Sequence, residues 1–145
     1  MSGDGPPPAV VLDTNVVLDL LLFADPSTGP LRAALHAGDI IWLSTGAMRD
    51  ELVRVLAYPQ IVAPMAARGL DVDTVLAGFD RLSRLQSAPP VAPVRCSDPD
   101  DQEFIDLAVA HRAMLLSKDK AVLRLRRRLA PLGVAANSVF RPPAT

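Results

Sequence analysis

"VVLDTNVVLDLLLF", residues 10–23, joins two apolar runs through Asp13, Thr14 and Asn15. Ala9 to Leu12 is a short, continuous apolar segment, the pattern of a strand covered on both faces. Beyond the polar joint, Asn15 can cap a helix reaching about Ala24; that helix is apolar nearly all round and therefore belongs in the interior. Asp13 then stands at the carboxyl end of a buried parallel strand, where open α/β sheets place their sites. The three polar side chains need a reason to be there, and the rest of the chain supplies candidates.

The chain has 145 residues, half of them apolar, with a formal net charge of −1. That length suits one domain with a real core, and the apolar content excludes a disordered chain. The near-neutral charge excludes a global basic field, so any nucleic acid would have to be held by a local patch. A single cysteine, Cys96, excludes an internal disulfide and a cysteine-rich zinc site, and suits a reducing cytoplasm. The two histidines, His36 and His111, share no metal-binding spacing. Charges interrupt the longest apolar run before it could span a membrane. "MSGDGPPP" lacks the basic region of a signal peptide and reads as a flexible leader, residues 1–8. We expect a single domain over 9–140 and a short tail, 141–145.

Along that domain, strands alternate with helices. Gly38 ends a helix through Leu31 and Leu35, "DIIWLS" (39–44) is a strand, and Ser44 or Thr45 caps "GAMRDELVRVLA", which stops before Pro59. Residues 60–88 read as two helices, the second over about 72–86 with Val75, Phe79, Leu82 and Gln86 on one stripe. "SAPPVAPV" is a proline-rich crossing with room for a short strand. "SDPDDQEFIDLAVAHR" opens a helix, "AMLLS" is a strand, "DKAVLRLRRRLAPLG" is a helix ended by Gly133, and "VAA" is a last edge strand. This order predicts a three-layer α/β/α sandwich around a mainly parallel sheet.

Four places bring acid to the core. Asp13 and Asp119 each follow a strand, so two strands deliver carboxylates to one sheet edge; as helix N-caps they would need no other purpose. Glu51 lies between Met48 and Val55 on its helical wheel, on the inward side, and an inward carboxylate is costly unless it is paired with an arginine or bound to a metal. In "SDPDDQEF", Asp98, Pro99 and the following acids make a good helix start. Asp101 also shares the face of Phe104 and Ile105, with Asp98 and Asp100 as alternates. Four converging carboxylates cannot all stay ionised unaided. A hard divalent cation, Mg²⁺ or Mn²⁺, relieves the repulsion and can activate a water. Thr14 and Asn15 would then orient the carboxylate or the water.

These blocks resemble the PIN domain, the small metal-dependent ribonuclease fold. "VVLDTNVVLDLL" is similar to the family's opening strand and helix, "STGAMRDELVRVLAYP" to its second block, and "SDPDDQEFIDLAVAHRAMLLSKDKAVL" to its third and fourth acidic blocks together, so that the likeness runs from about Val10 to about Val139. Within the family the chain most resembles the bacterial VapC-like ribonucleases, toxins of type II toxin–antitoxin pairs. The resemblance implies metal-binding acids at Asp13, Glu51 and Asp119, a third acid within "DPDDQEF", and supporting polar groups at Asn15 and Ser117. It further implies RNA hydrolysis at one or two divalent ions, an antitoxin partner and a homodimer. "SKDK" carries serine where threonine is common in the family. The helices of 60–88, with Met65 and Val75, are expected either to contribute to self-association or to a partner groove, or to form an ordinary capping layer of the core.

RNA would need cations near the acids, and Arg49 and Arg54, flanking Glu51, are candidates. Arg124, Arg127 and Arg128 lie opposite the buried stripe of Val122, Leu125 and Leu129, as an ordinary solvated face does. Other classes fit less well. A phosphatase motif would want an acid at position 15, where Asn15 stands, and a receiver domain would want an aspartate after "WLST". The non-enzyme alternative is a PIN-fold protein that binds a partner or RNA without cleaving it.

Overall fold

The structure, a computed structural model, describes residues 6–141. Most of the expected leader (residues 1–5) and tail (142–145) lies outside the described residues. Pro8 already accepts from Ile41 N at 3.0 Å, so the sheet ladder begins one residue inside the expected leader.

Five parallel strands form the sheet: β1 (Ala9–Leu12), β2 (Ile41–Thr45), β3 (Ser83–Gln86), β4 (Met114–Leu116) and β5 (Ala136–Asn137), in spatial order β3-β2-β1-β4-β5. Register is set around β1, with Val10 opposite both Trp42 and Met114, and Leu12 opposite Leu116. Alternation then divides the core. Val10, Leu12, Trp42 and Leu116 face one layer, built with α1 (Thr14–Leu21), α2 (Gly29–Ala37), most of α3 (Gly46–Leu56), α4 (Pro59–Ala67) and α5 (Val72–Leu82). Val11, Leu43 and Leu115 face the other, built with α6 (Gln102–His111), α7 (Lys120–Leu123) and α8 (Arg126–Leu129). The fold is the expected α/β/α sandwich, with all strand pairs parallel.

This order contains a reversal. The chain steps outward from β1 to β2 to β3 through helices on the first face. It then crosses back over the second face to β4, on the other side of β1. The helices leaving β1 and β4 therefore diverge, and a crevice opens between their carboxyl ends, the switch point where ligands bind in such sheets.

Several elements differ from expectation. Asp13, not Asn15, caps α1, accepting from Val16 N at 2.9 Å, and the helix ends at Leu21. The long helix expected through Gln86 stops at Leu82. Ser83 Oγ donates to Phe79 O at 2.7 Å and meets Ser44 Oγ at 2.9 Å, so one hydroxyl finishes α5 and fixes the start of β3 against β2. The crossing 87–94 holds no strand. Ala92 and Val94 are buried there, tied to α6 through Asp106 and Gln102. The expected helix after Asp119 breaks into α7, α8 and a 3-10 turn, ending at Gly133 with φ +84°. Its stripe of Val122, Leu125 and Leu129 is buried as expected. Met65 and Val75, 5% and 2% exposed, are core residues and not surplus surface. The last strand lies at Ala136–Asn137, one residue beyond "VAA".

Candidate metal centre

The switch point collects acids from three sources. β1 ends on Asp13, whose N–H still donates to Leu116 O of β4 at 3.0 Å, so its position is part of the sheet ladder. After β4, Ser117 turns the chain: its Oγ donates to Asp13 Oδ2 and accepts from Asp119 N at 3.0 Å. Asp119 also caps α7 through Ala121 N at 2.8 Å. The second face contributes the start of α6, where Asp98 accepts from Asp100 N at 3.0 Å and opens the 3-10 turn that carries Asp101. Gln102 holds the approach to that turn, accepting from Cys96 N at 2.7 Å while donating to Val94 O and Asp106.

Asp98, Asp101 and Asp119 each bring a carboxylate oxygen within 4.8 Å of the other two. No salt bridge among the described residues reaches any of them. Asp101 Oδ2 is shielded from solvent and faces no donor. Burial, the Asp119 carboxylate beside it and the charges of Asp98 and Asp13 push the Asp101 pKa up to about 7. Asp13, 4% exposed, is also raised, chiefly by burial; its bonds from Ser117 and Val16 oppose that shift. A set of hard oxygen donors with an orphaned buried oxygen and no cation fits a divalent metal.

Glu51 and Glu103 form a second acidic pair. Glu51 on α3 accepts from Thr14 Oγ1 at 2.6 Å. No arginine pairs with it among the described residues, so the salt-bridge reading of an inward Glu51 is not what the fold uses. Glu103 on α6 carries a buried Oε1 without a partner; burial and the charge of Glu51 raise its pKa to about 7, with Arg54 pulling the other way. Sequence reading placed Glu103 among the acids of its block without selecting it. Its signal was position: one turn before Leu107, it sits at the edge of an inward face.

An open pocket of about 350 Å³ joins these groups, lined by Asp13, Glu51, Asp101 and Asp119 together with Thr14 and Asn15. Asp98 belongs to the trio, whereas Asp100 is exposed and outside it. Thr14 supports Glu51, Ser117 supports Asp13 and Asp119, and Asn15 is exposed at the rim. Arg49 does not line the pocket. Its guanidinium grips Asp80 of α5 through two bonds of 2.8 and 2.9 Å. Arg54 is exposed and near Glu103. A cation nearer the trio is Lys118, paired with Asp19 of α1 and close enough to lower the pKa of Asp13.

A parallel sheet with acids gathered at its topological switch point defines a class of α/β proteins that act on charged ligands at that edge. Within that class, the family model described as PIN domain matches residues 9–121. The chain belongs to the PIN-domain family, and membership generally implies nuclease activity. No curated protein matches it. Among the described residues, no helix is long and apolar enough to cross a membrane.

Proposed function

We propose that this protein is a Mg²⁺- or Mn²⁺-dependent endoribonuclease, acting in the cytoplasm as the toxin of a toxin–antitoxin pair. The observation that carries the metal reading is the Asp98–Asp101–Asp119 trio with its unpartnered buried oxygen. Those three residues would hold the ion, with Asp13 close enough for its charge to act on Asp101. Bound there, a divalent cation supplies Lewis acidity and lowers the pKa of a water. The chain does the rest. Ser117 and Val16 keep Asp13 oriented, and Thr14 keeps the Glu51 carboxylate facing the pocket, where it can accept a proton from an attacking water. Leu18 and Phe104 add apolar surface to the lining of the same pocket. Lys118 offers a cation to a phosphate approaching an otherwise acidic edge.

The toxin role, the antitoxin and a homodimer rest on the likeness of the sequence blocks. The free edge of β3 offers apolar surface for such contacts at Leu85 and the nearby Val91, 66% and 62% exposed. The test of the enzyme is Mn²⁺ titration of wild type and Asp119→Asn, read by thermal shift and by cleavage of RNA. Wild type should be stabilised and active, and the variant neither. A wild type indifferent to Mn²⁺ would sink the metal reading.

A further inference from the structure

The pocket has lining residues that the metal chemistry does not use. Besides the carboxylates it is lined by Tyr58, which caps α4, by Gln60 and Ile61 of the first turn of α4, and by Val55 and Asn15. Tyr58 is the chain's single tyrosine, and it is 46% exposed. Trp42, Phe79, Phe104 and Phe140 are each 3% exposed or less, and Phe23 is partly buried beneath Arg68. Among the described residues, Tyr58 is thus the one tyrosine, phenylalanine or tryptophan ring left open to solvent, and it stands in the same cavity as the acids.

The backbone of Tyr58 explains its position but not its side chain. Its N–H donates to Val55 O at 3.0 Å as α3 ends, and its carbonyl accepts from Ile61 and Val62 as α4 begins. Any residue with extended backbone could do this before Pro59. The ring's hydroxyl makes no hydrogen bond among the described residues, so neither packing nor a buried polar bond accounts for it. A flat, exposed ring that shares a pocket with two apolar side chains (Val55, Ile61) and two amides (Gln60, Asn15) has the chemistry of a base platform. The ring stacks on a base face, and amides reach a base edge. The pocket's volume lies within the range of clefts that hold small ligands, about 300–1,000 Å³.

We propose that Tyr58 is a stacking platform for one unpaired base of the RNA substrate, flanking the phosphate presented to the acids. Gln60 and Asn15 are the groups placed to discriminate among bases. The proposal rests on the ribonuclease reading and sharpens it: the substrate is single-stranded at the site, because a base paired within a helix cannot turn its face to Tyr58.

The test uses the full chain and a short RNA carrying 2-aminopurine, single-stranded or annealed to its complement, with Ca²⁺ supplied to neutralise the acids. The probe should be quenched on binding wild type as a single strand, and far less as a duplex. Tyr58→Phe should keep both quenching and affinity, since it keeps the ring. Tyr58→Leu, apolar but unable to stack, should bind about 5- to 100-fold more weakly. Equal affinity of wild type and Tyr58→Leu, or no single-strand binding by wild type, overturns the platform. The Mn²⁺ thermal shift is read in parallel and should be equal in wild type, Tyr58→Phe and Tyr58→Leu. Its absence from wild type with RNA binding retained would remove the metal reading and leave the platform standing. A normal shift with Tyr58→Leu unimpaired in RNA binding would do the reverse.

Discussion

Two neighbouring parts of one sheet edge treat polar side chains in opposite ways. Near the end of β2, Ser44 is satisfied by Ser83 from the start of β3, and Thr45 accepts from Met48 N at 3.2 Å to cap α3. These groups are neutral and mutually bonded, as buried polar groups ordinarily are. At the ends of β1 and β4, Asp13 and Asp119 are capped and braced by the same kinds of hydrogen bond. Charge nevertheless accumulates there, with a buried oxygen left alone on Asp101 and another on Glu103. The difference lies in topology. α3, which leaves β2, packs against α5, which leads into β3, so Ser44 and Ser83 meet beside one helical layer. α1 and α7 leave for opposite faces, so the β1–β4 end stays open and α6 can insert its acids from the side. Asp13 and Asp119 show that a helix cap and a functional carboxylate need not be alternatives, since a capping carboxylate engages only part of its lone-pair capacity.

Removing charge from the open end should have the largest effect. Asp119→Asn keeps a good N-cap but deletes one member of the trio. Without metal, its melting temperature should equal or exceed that of wild type, because like-charge repulsion is relieved. With Mn²⁺, stabilisation should vanish and RNA cleavage should fall by about 10³-fold, as expected for losing several kcal/mol of metal-based stabilisation. A marked loss of metal-free stability in this variant would break the comparison, making the β1–β4 end as structural as its neighbour.

The pH dependence follows in size. Asp101 and Glu103 have folded pKa values raised to about 7, above the ordinary 3.8 and 4.5. Between those limits the folded protein binds more protons than the unfolded chain. The stability these two groups contribute is therefore fully present below about pH 4 and is lost as pH rises through 7. Metal needs the deprotonated carboxylates, so the Mn²⁺-induced thermal shift should grow over the same window. Thermal melts at several pH values, with and without Mn²⁺, check both slopes, and parallel slopes would contradict the assignment.

Smaller effects separate the supporting groups. Thr14→Val removes the donor to Glu51 while keeping the side chain's shape, and should lower cleavage by about 10- to 100-fold, the range for groups that orient an active carboxylate. Its melting temperature should change little. Ser83→Ala is the converse probe. It should cost about 1 kcal/mol in chemical denaturation by freeing Ser44, and leave both the Mn²⁺ response and cleavage unchanged. Together the two variants would show whether the divide between the halves of the edge is functional.

Much of this was legible in the chain. The short apolar runs within 9–12, "DIIWLS" (39–44) and "AMLLS" (113–117) mark strands covered on both faces, since strands of that kind are apolar without alternation. The terminal Asp13 and Asp119, and the inward phase of Glu51, follow from strand ends and helical period, which are local properties. What lay beyond reach was contact between distant segments. β3 has little period of its own: "SRLQ" is an edge strand whose leucine points to solvent, and it becomes a strand because Ser44 and β2 are there to pair it. The choice among Asp98, Asp100 and Asp101 turned on a 3-10 turn braced by Gln102, which exposes Asp100 and brings Asp98 and Asp101 to Asp119. Met65 and Val75 read as surplus only when the α1–α5 layer is counted from one sheet face; packed, they are core. Sequence alone thus determined the strands β1, β2 and β4 and the acids that follow strands or share an inward helix face, because those depend on neighbours a few positions away. The tertiary structure decided which acids meet, which polar ends are satisfied and which stay open, because those depend on the directions in which helices leave a shared sheet edge.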